Sequence, residues 1–156
     1  MCTRRLAVLL VLAALAPACG LGRALFGEGV PQPIEVVVEA DAKLNPDDAR
    51  RPLPTVIRLL QVRSAAKLER AEFDQVYRGA KELLGEDLLQ VDELIVSPGA
   101  TVTRKLDRDK AARVLVAVAV VRSPSGTSWR AVADLPAPGD RATVTFHAEE
   151  YRIARR

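Results

Sequence analysis

Cys19 is the residue whose surroundings most clearly predict chemistry. It follows Ala16, Pro17 and Ala18 and is followed by Gly20. Small residues directly before a cysteine end the signal peptides of bacterial lipoproteins, in which the cysteine thiol receives the lipid after cleavage. The sequence therefore predicts that Cys19 is lipidated and is the first residue of the mature chain.

The residues before Cys19 have the order of a secretory signal. Arg4 and Arg5 supply positive charge, residues 6–15 are all apolar, and the small residues follow. The apolar run is about half the ~20 residues that a membrane-spanning helix needs. We therefore predict a lipoprotein signal peptide over 1–18. The alternative is a plain signal peptide cut near Ala18, which leaves Cys19 as a free thiol.

His147 is the only histidine, so it is the first candidate for acid–base catalysis. Strand alternation places it with Thr143 and Thr145, opposite Val144 and Phe146. This pattern favours a solvent-facing strand residue over a catalytic one.

Acidic and cysteine residues offer little further chemistry. Adjacent acids on a strand point to opposite faces, and none has the spacing of a calcium loop. These pairs are Asp47–Asp48, Asp92–Glu93 and Glu149–Glu150. Cys2 leaves with the signal peptide, so the single remaining cysteine predicts neither an internal disulfide nor a Cys/His zinc site. We expect no enzyme, no metal and no cofactor.

The mature chain is nearly neutral, since removal of Arg4 and Arg5 leaves 21 basic against 20 acidic residues. This balance predicts no nucleic-acid partner. Its 138 residues suit one domain with a sizeable core. The glycines and prolines of 19–33 predict a flexible tether with a reach of roughly 20 Å, and we place the folded domain at 34–156.

Short alternating segments make the domain mainly β. Strands are predicted at 34–39, 55–63, 93–96, 113–122, 128–134 and 142–148. A helical insertion over about 65–90 carries one apolar stripe formed by Phe73, Val76, Tyr77, Ala80, Leu83 and Leu84. Gly85 is the predicted stop of this helix, and Leu88 and Leu89 are predicted to begin a second helical turn. In the segment 113–122, the valine face is assigned to the interior of a sandwich and the alanine face to a neighbouring layer.

The connection 41–54 between the first two strands is too long for an ordinary hairpin, and such loops are usually functional. Pro46, Pro52 and Pro54 limit its freedom and predict a semi-rigid projection. Leu44 and Leu53 are its apolar residues. We predict that they project as anchors for a partner and that changing them barely affects stability.

The order of these features resembles that of a known family. A lipidated cysteine and a strand are followed by Leu44-Asn45-Pro46-Asp47, then Arg51-Pro52-Leu53-Pro54, a second strand, Phe73 within a helix and Ser97-Pro98-Gly99. This resembles the TssJ (VasD, SciN) family, the outer-membrane lipoprotein of the bacterial type VI secretion system. One departure is Arg50, where many relatives have glycine before Arg-Pro.

The resemblance implies a transthyretin-like two-sheet β-sandwich with a helical insertion between the second and third strands. It also implies a non-enzymatic structural role at the periplasmic face of the outer membrane. In that family the loop after the first strand contacts the periplasmic C-terminal region of TssM, an inner-membrane protein that assembles with TssL. By position, the partner-binding residues here are Leu44, Asn45, Pro46, Asp47, Arg51, Pro52, Leu53 and Pro54.

Two other functional classes, a ligand carrier or pilot lipoprotein and an envelope hydrolase, fit the sequence less well. A small envelope lipoprotein that carries a ligand or pilots another assembly requires a deep apolar pocket within the sandwich, which a closely packed Val/Ala strand disfavours. An envelope hydrolase requires a nucleophile–base pair, and the sequence offers no recognisable one. We expect no small-molecule substrate.

Overall fold

The computed structural model describes residues 30–156, which form two four-stranded sheets and one α-helix. The strands are β1 Ile34–Ala40, β2 Thr55–Val62, β3 Leu88–Val96, β4 Thr101–Leu106, β5 Val114–Ala119, β6 Arg130–Asp134, β7 Ala142–Glu149 and β8 Arg152–Arg155. The helix, α1, is Phe73–Leu84, flanked by 3₁₀ turns at Ala66–Leu68 and Gly85–Asp87. Cys19, the predicted signal peptide and most of the predicted tether lie outside the described residues.

Each sheet has a simple order. The first sheet is β4-β1-β7-β8 and the second is β3-β2-β5-β6. The β1–β7 pair is parallel, and the other pairs are antiparallel. This is the mainly β, two-sheet fold with a helix between the second and third strands that was expected.

The core lies between the two sheets. In β1 and β7, buried and more exposed residues alternate strictly, so each strand turns one face toward this core. Every second residue of β1 and of β7 is buried, and the residues between them are exposed or half-buried. From the second sheet, Ile57, Leu59 and Leu115 are fully buried. These side chains belong to the same buried cluster as those of β1 and β7.

The faces of β5 are the reverse of the prediction. Val116 pairs with Leu60 and Val118 with Arg58, so these side chains share one face of the sheet. The Arg58 guanidinium donates to the carbonyl of Tyr77 in α1, which identifies this face as the one under the helix. The valines therefore pack beneath α1. The smaller face, with Ala117, looks toward the other sheet.

The helical insertion begins and ends where the sequence indicates. The Glu72 N–H donates to Gln75 Oε1 at the start of α1 (2.9 Å), which satisfies one of the unpaired first-turn donors. Gly85, with φ of 57°, ends the helix. The prediction for Leu88 and Leu89 is wrong, because both belong to β3. The second turn lies earlier, at Gly85–Asp87.

Two strands were not predicted. β4 lies at the edge of its sheet, and only Leu106 at its end is buried, so it shows almost no hydrophobic alternation. β8 has four residues, of which only Ile153 is buried. A strand of this kind is held by pairing with its neighbour, here β7, and its own sequence carries little signal.

Candidate partner-binding loop

The loop 41–54 carries the chain from β1 in the first sheet to β2 in the second. Asp41 organises its start: its backbone carbonyl accepts from the N–H groups of Leu44 and Gly99 (3.1 Å each). Its carboxylate accepts from the Lys43 N–H (2.7 Å). The Leu53 N–H donates to the Leu44 carbonyl (3.0 Å), which brings the two ends of the loop together. The loop is thus closed at its base by backbone bonds.

Leu44 does not project, so this part of the prediction is wrong. Its side chain is completely buried and belongs to the main core cluster. An apolar side chain at a loop base gains more by entering the core than by facing water. Because this side chain is buried, changing Leu44 is expected to lower the stability of the domain.

Asn45 and Pro46 are also held inside. Asn45 adopts φ of 46° and is almost fully buried. Its N–H donates to the Glu150 carbonyl (2.7 Å), and its side-chain oxygen accepts from the Arg122 N–H (2.8 Å). The Tyr151 hydroxyl donates to the Pro46 carbonyl (2.8 Å). Since the donors lie 77 and 105 residues away in sequence, local sequence reasoning could not have identified Arg122 or Tyr151 as supports of the loop.

Asp47 and Arg51 close the tip of the loop. The Asp47 carboxylate accepts from the Arg51 N–H and from its Nε (2.8 Å each), and Arg51 Nη2 lies 2.8 Å from Oδ2. The Arg51 backbone N–H, and then its guanidinium, lower the pKa of Asp47 below its usual value. The Asp47 side chain is mostly covered, whereas 79% of the Arg51 side chain is exposed. Arg51 is therefore fixed in place while remaining open to a partner.

Arg50 occupies the left-handed backbone region, with φ of 62°. Glycine adopts this conformation without the steric cost that a Cβ imposes. A glycine at position 50 would therefore adopt this backbone conformation with less strain than arginine does. The Arg50 side chain is exposed at the tip of the loop.

Only part of the predicted partner-binding set is exposed. Asp48, Arg50, Arg51, Pro52 and Pro54 are exposed and Leu53 is half-buried. Asp48 lies 3.3 Å from the Nη2 atom of Arg122. The surface open to a partner is therefore cationic and proline-rich, and Leu44, Asn45 and Pro46 support it from inside.

His147 lies on the outer face of the first sheet, as alternation predicts. Its Nδ1 is 3.8 Å from Glu39 Oε2 and its Nε2 is 3.7 Å from Glu149 Oε2. Those carboxylates also pair with Arg156 and Arg152. Arg152 and Arg156 thus form surface ion pairs beside His147 that link β1, β7 and residues 152–156.

Comparison with known proteins identifies the family. The family described as Type VI secretion lipoprotein, VasD, EvfM, TssJ matches residues 32–151. The chain belongs to this family. None of the curated proteins matches it. Of the described residues, none forms a helix long and apolar enough to cross a membrane.

Solved structures of type VI secretion lipoproteins share the fold. The lipoprotein TssJ1 from Pseudomonas aeruginosa matches with a TM-score of 0.70 and 25% identity, over 81% of this chain and 97% of that one. Serratia marcescens Lip, a membrane-bound component of the type VI secretion system, matches with a TM-score of 0.74 and 26% identity, over 82% and 99%.

A third match shows the fold alone. A chain of the structure described as the TssM C-terminal domain (869–1107) from EAEC has a TM-score of 0.69 at 17% identity, over 80% of this chain and 97% of that one. The chain is thus a member of a family of structural lipoproteins of the type VI secretion system.

Proposed function

We propose that this lipoprotein anchors TssM, and through it TssL, to the periplasmic face of the outer membrane. Lipid on Cys19 holds the chain in the membrane, and the loop 41–54 grips the periplasmic C-terminal region of TssM. The role is non-enzymatic. Two or more acyl chains make such an attachment stable where one chain is reversible.

The placement of the loop relative to the chain's point of entry carries this proposal. The chain enters the domain at Ile34, and β1 runs from there to Ala40, where the loop begins. A seven-residue strand spans roughly 20 Å. The point at which the chain enters β1 and the loop therefore lie at opposite ends of this strand. A domain held to a membrane by its tether would present the loop toward the periplasm.

The construction of the loop supports a docking role as well. Its base is fixed by the buried Leu44 and by the bonds of Asn45 to Arg122 and Glu150. A loop that is already ordered loses less conformational entropy when a partner binds, so more of the contact energy appears as affinity. We propose that Asp47, Arg51, Pro52, Leu53 and Pro54 make the contacts.

A pull-down from detergent-solubilised membranes tests the proposal. The full chain, tagged at its C-terminus, is expected to retain TssM and TssL. A chain carrying Arg50→Ala and Arg51→Ala is expected to retain much less of both. If both baits retain equal amounts at equal expression, the loop does not bind TssM.

A further inference from the structure

One corner of the second sheet is left uncovered by the helix. The outer face of this sheet packs under α1 and the segment before it, where Leu60, Val116 and Val118 are buried. At the loop end of the same face, Ile95 is 67% exposed. Its cross-strand neighbour Val56 is only half-buried.

The apolar side chains at this corner form one continuous strip. Val56 pairs with Ile95 on β3, and the Val120 N–H donates to the Val56 carbonyl (2.9 Å). Val120 is half-buried, and Pro54, two residues before Val56, is exposed. Pro54 directly precedes Thr55, the first residue of β2, so it leads from the strip into the loop. We call Pro54, Val56, Ile95 and Val120 the outer strip.

Charged pairs border the outer strip on both sides. Toward α1, Arg58 Nε lies 2.9 Å from Glu93 Oε1, and the same guanidinium donates to the Tyr77 carbonyl (2.8 Å). On the other side, Arg122 lies beside Asp48. An apolar centre with a polar, ion-paired rim is the anatomy of a protein–protein interface.

The outer strip is too small to bind a partner alone. A specific interface buries about 800 Å² on each partner, which is more than four partly exposed side chains offer. The exposed loop residues Arg51 and Pro52 continue directly from Pro54. One partner that spans the loop and the strip reaches the required size.

Charge indicates the chemistry of that partner. Arg51 and Arg122 already have carboxylate partners. Arg50, by contrast, is exposed and forms no ion pair with any other residue between 30 and 156. A segment that complements this surface carries apolar side chains over the strip and a carboxylate opposite Arg50.

We infer that the protein bound by the loop also covers the outer strip, through an apolar segment flanked by an acidic residue. This inference rests on the proposed function and extends its site from the loop to the outer face of the second sheet. Ile95 is the central contact of the extension.

Matched lysine substitutions test this inference. Ile95→Lys changes the strip, and Val132→Lys is the control because Val132 is 41% exposed on the same face, on β6 at the far edge of the sheet. The probe is the periplasmic C-terminal region of TssM from the same organism, titrated against the full chain immobilised in detergent. We expect Ile95→Lys to weaken binding tenfold or more and Val132→Lys to change it less than twofold.

The outcomes separate the two proposals. Normal binding by Ile95→Lys together with weakened binding by Arg51→Ala overturns the strip and leaves the loop standing. The reverse pattern, weakened binding by Ile95→Lys and normal binding by Arg51→Ala, overturns the proposed binding by the loop and therefore also the inference that one partner covers both surfaces. A shift of oligomeric state by Ile95→Lys without loss of TssM affinity makes the strip a contact between copies and overturns the inference. Ile95→Ser, expected to weaken binding in the same direction, replaces Ile95→Lys if the lysine variant melts below the control.

Discussion

Leu44 links the binding loop to the core of the domain. Its side chain is fully buried in the same cluster as Phe146 and Ile57. The exposed residues Arg50 and Arg51 stand a few positions further along the loop. The position of the tip therefore depends on a residue that the partner need not touch.

Leu44→Ala is expected to destabilise the fold by about 2–5 kcal/mol, because it removes a buried side chain and leaves a cavity. Leu53→Ala is the matched control, since Leu53 is half-buried and its loss is expected to cost less than half as much. Urea unfolding of both variants measures the difference. Equal midpoints would show that Leu44 does not hold the loop in the core.

The ion pair at the tip predicts a pH dependence. The folded-state pKa of Asp47 lies below its usual value because Arg51 donates to the carboxylate. A carboxyl group of this kind contributes stability above its unfolded pKa, and the contribution is lost as pH falls through the folded pKa. We expect Asp47→Asn to be less stable than the wild type at pH 7, and the difference to shrink as pH falls below the usual pKa of an aspartate. A difference that does not shrink on acidification would contradict the account.

Residues of the loop show how far sequence reasoning extends. The pattern Leu44-Asn45-Pro46-Asp47 located the loop correctly, since prolines and length are local signals. It failed for Leu44, because an apolar residue in a polar segment is equally compatible with projection and with core insertion. The supports of Asn45 and Pro46 come from Arg122 and the C-terminal Tyr151, which only the fold brings near.

At the scale of elements, the strongly periodic segments were predicted, whereas β4 and β8, the two edge strands of the first sheet, were not. β1, β7 and α1 alternate or repeat clearly because each buries one face. β4 has little to bury at the sheet edge. The faces of β5 were reversed because a strand buried on both sides gives no sign of which side meets the helix.

The helical insertion is fastened to the second sheet through Arg130. Its Nη1 donates to the Ala71 carbonyl (2.8 Å) and its Nη2 to the Glu69 carbonyl (3.0 Å). The guanidinium also lies 4.7 Å from the ring centroid of Trp129, a favourable cation–π contact. One side chain thus joins β6 to the segment that leads into α1.

Arg130→Lys is expected to loosen the insertion, since a single ammonium cannot reproduce the two forked hydrogen bonds. Loss of these bonds should cost about 1–3 kcal/mol. Hydrogen exchange should accelerate for amides of 66–84 while those of β1 and β7 keep their protection. Uniform acceleration across both sheets would mean that Arg130 stabilises the whole domain instead.

At the scale of the whole molecule, the start of β1 and the loop lie at opposite ends of the first strand. Ile34 begins β1 at one end, and Thr55 begins β2 at the other, beside the loop and the outer strip. A protein that links a membrane to a distant partner benefits from this separation. The anchor itself is predicted from the sequence, because Cys19 lies outside the described residues.

Cys19→Ser is expected to produce a folded protein that no longer sediments with outer membranes, because the lipid has no thiol to join. Ala18→Ser is the control for changes near the cleavage site, and this variant should still sediment with outer membranes. If Cys19→Ser sediments with outer membranes as the wild type does, lipid anchoring at this residue is refuted.

The affinity for TssM, measured by calorimetry with the purified chain, tests the central claim most directly. One variant removes two cations from the loop, through Arg50→Ala and Arg51→Ala. Its control removes two exposed cations from the opposite end of the domain, near the start of β1, through Lys105→Ala and Arg141→Ala. Interface anchors typically cost about 2 kcal/mol or more when truncated, so the loop variant should bind about thirtyfold more weakly and the control within twofold of the wild type. Wild-type affinity in a correctly folded loop variant would contradict the proposal that the loop is where TssM binds.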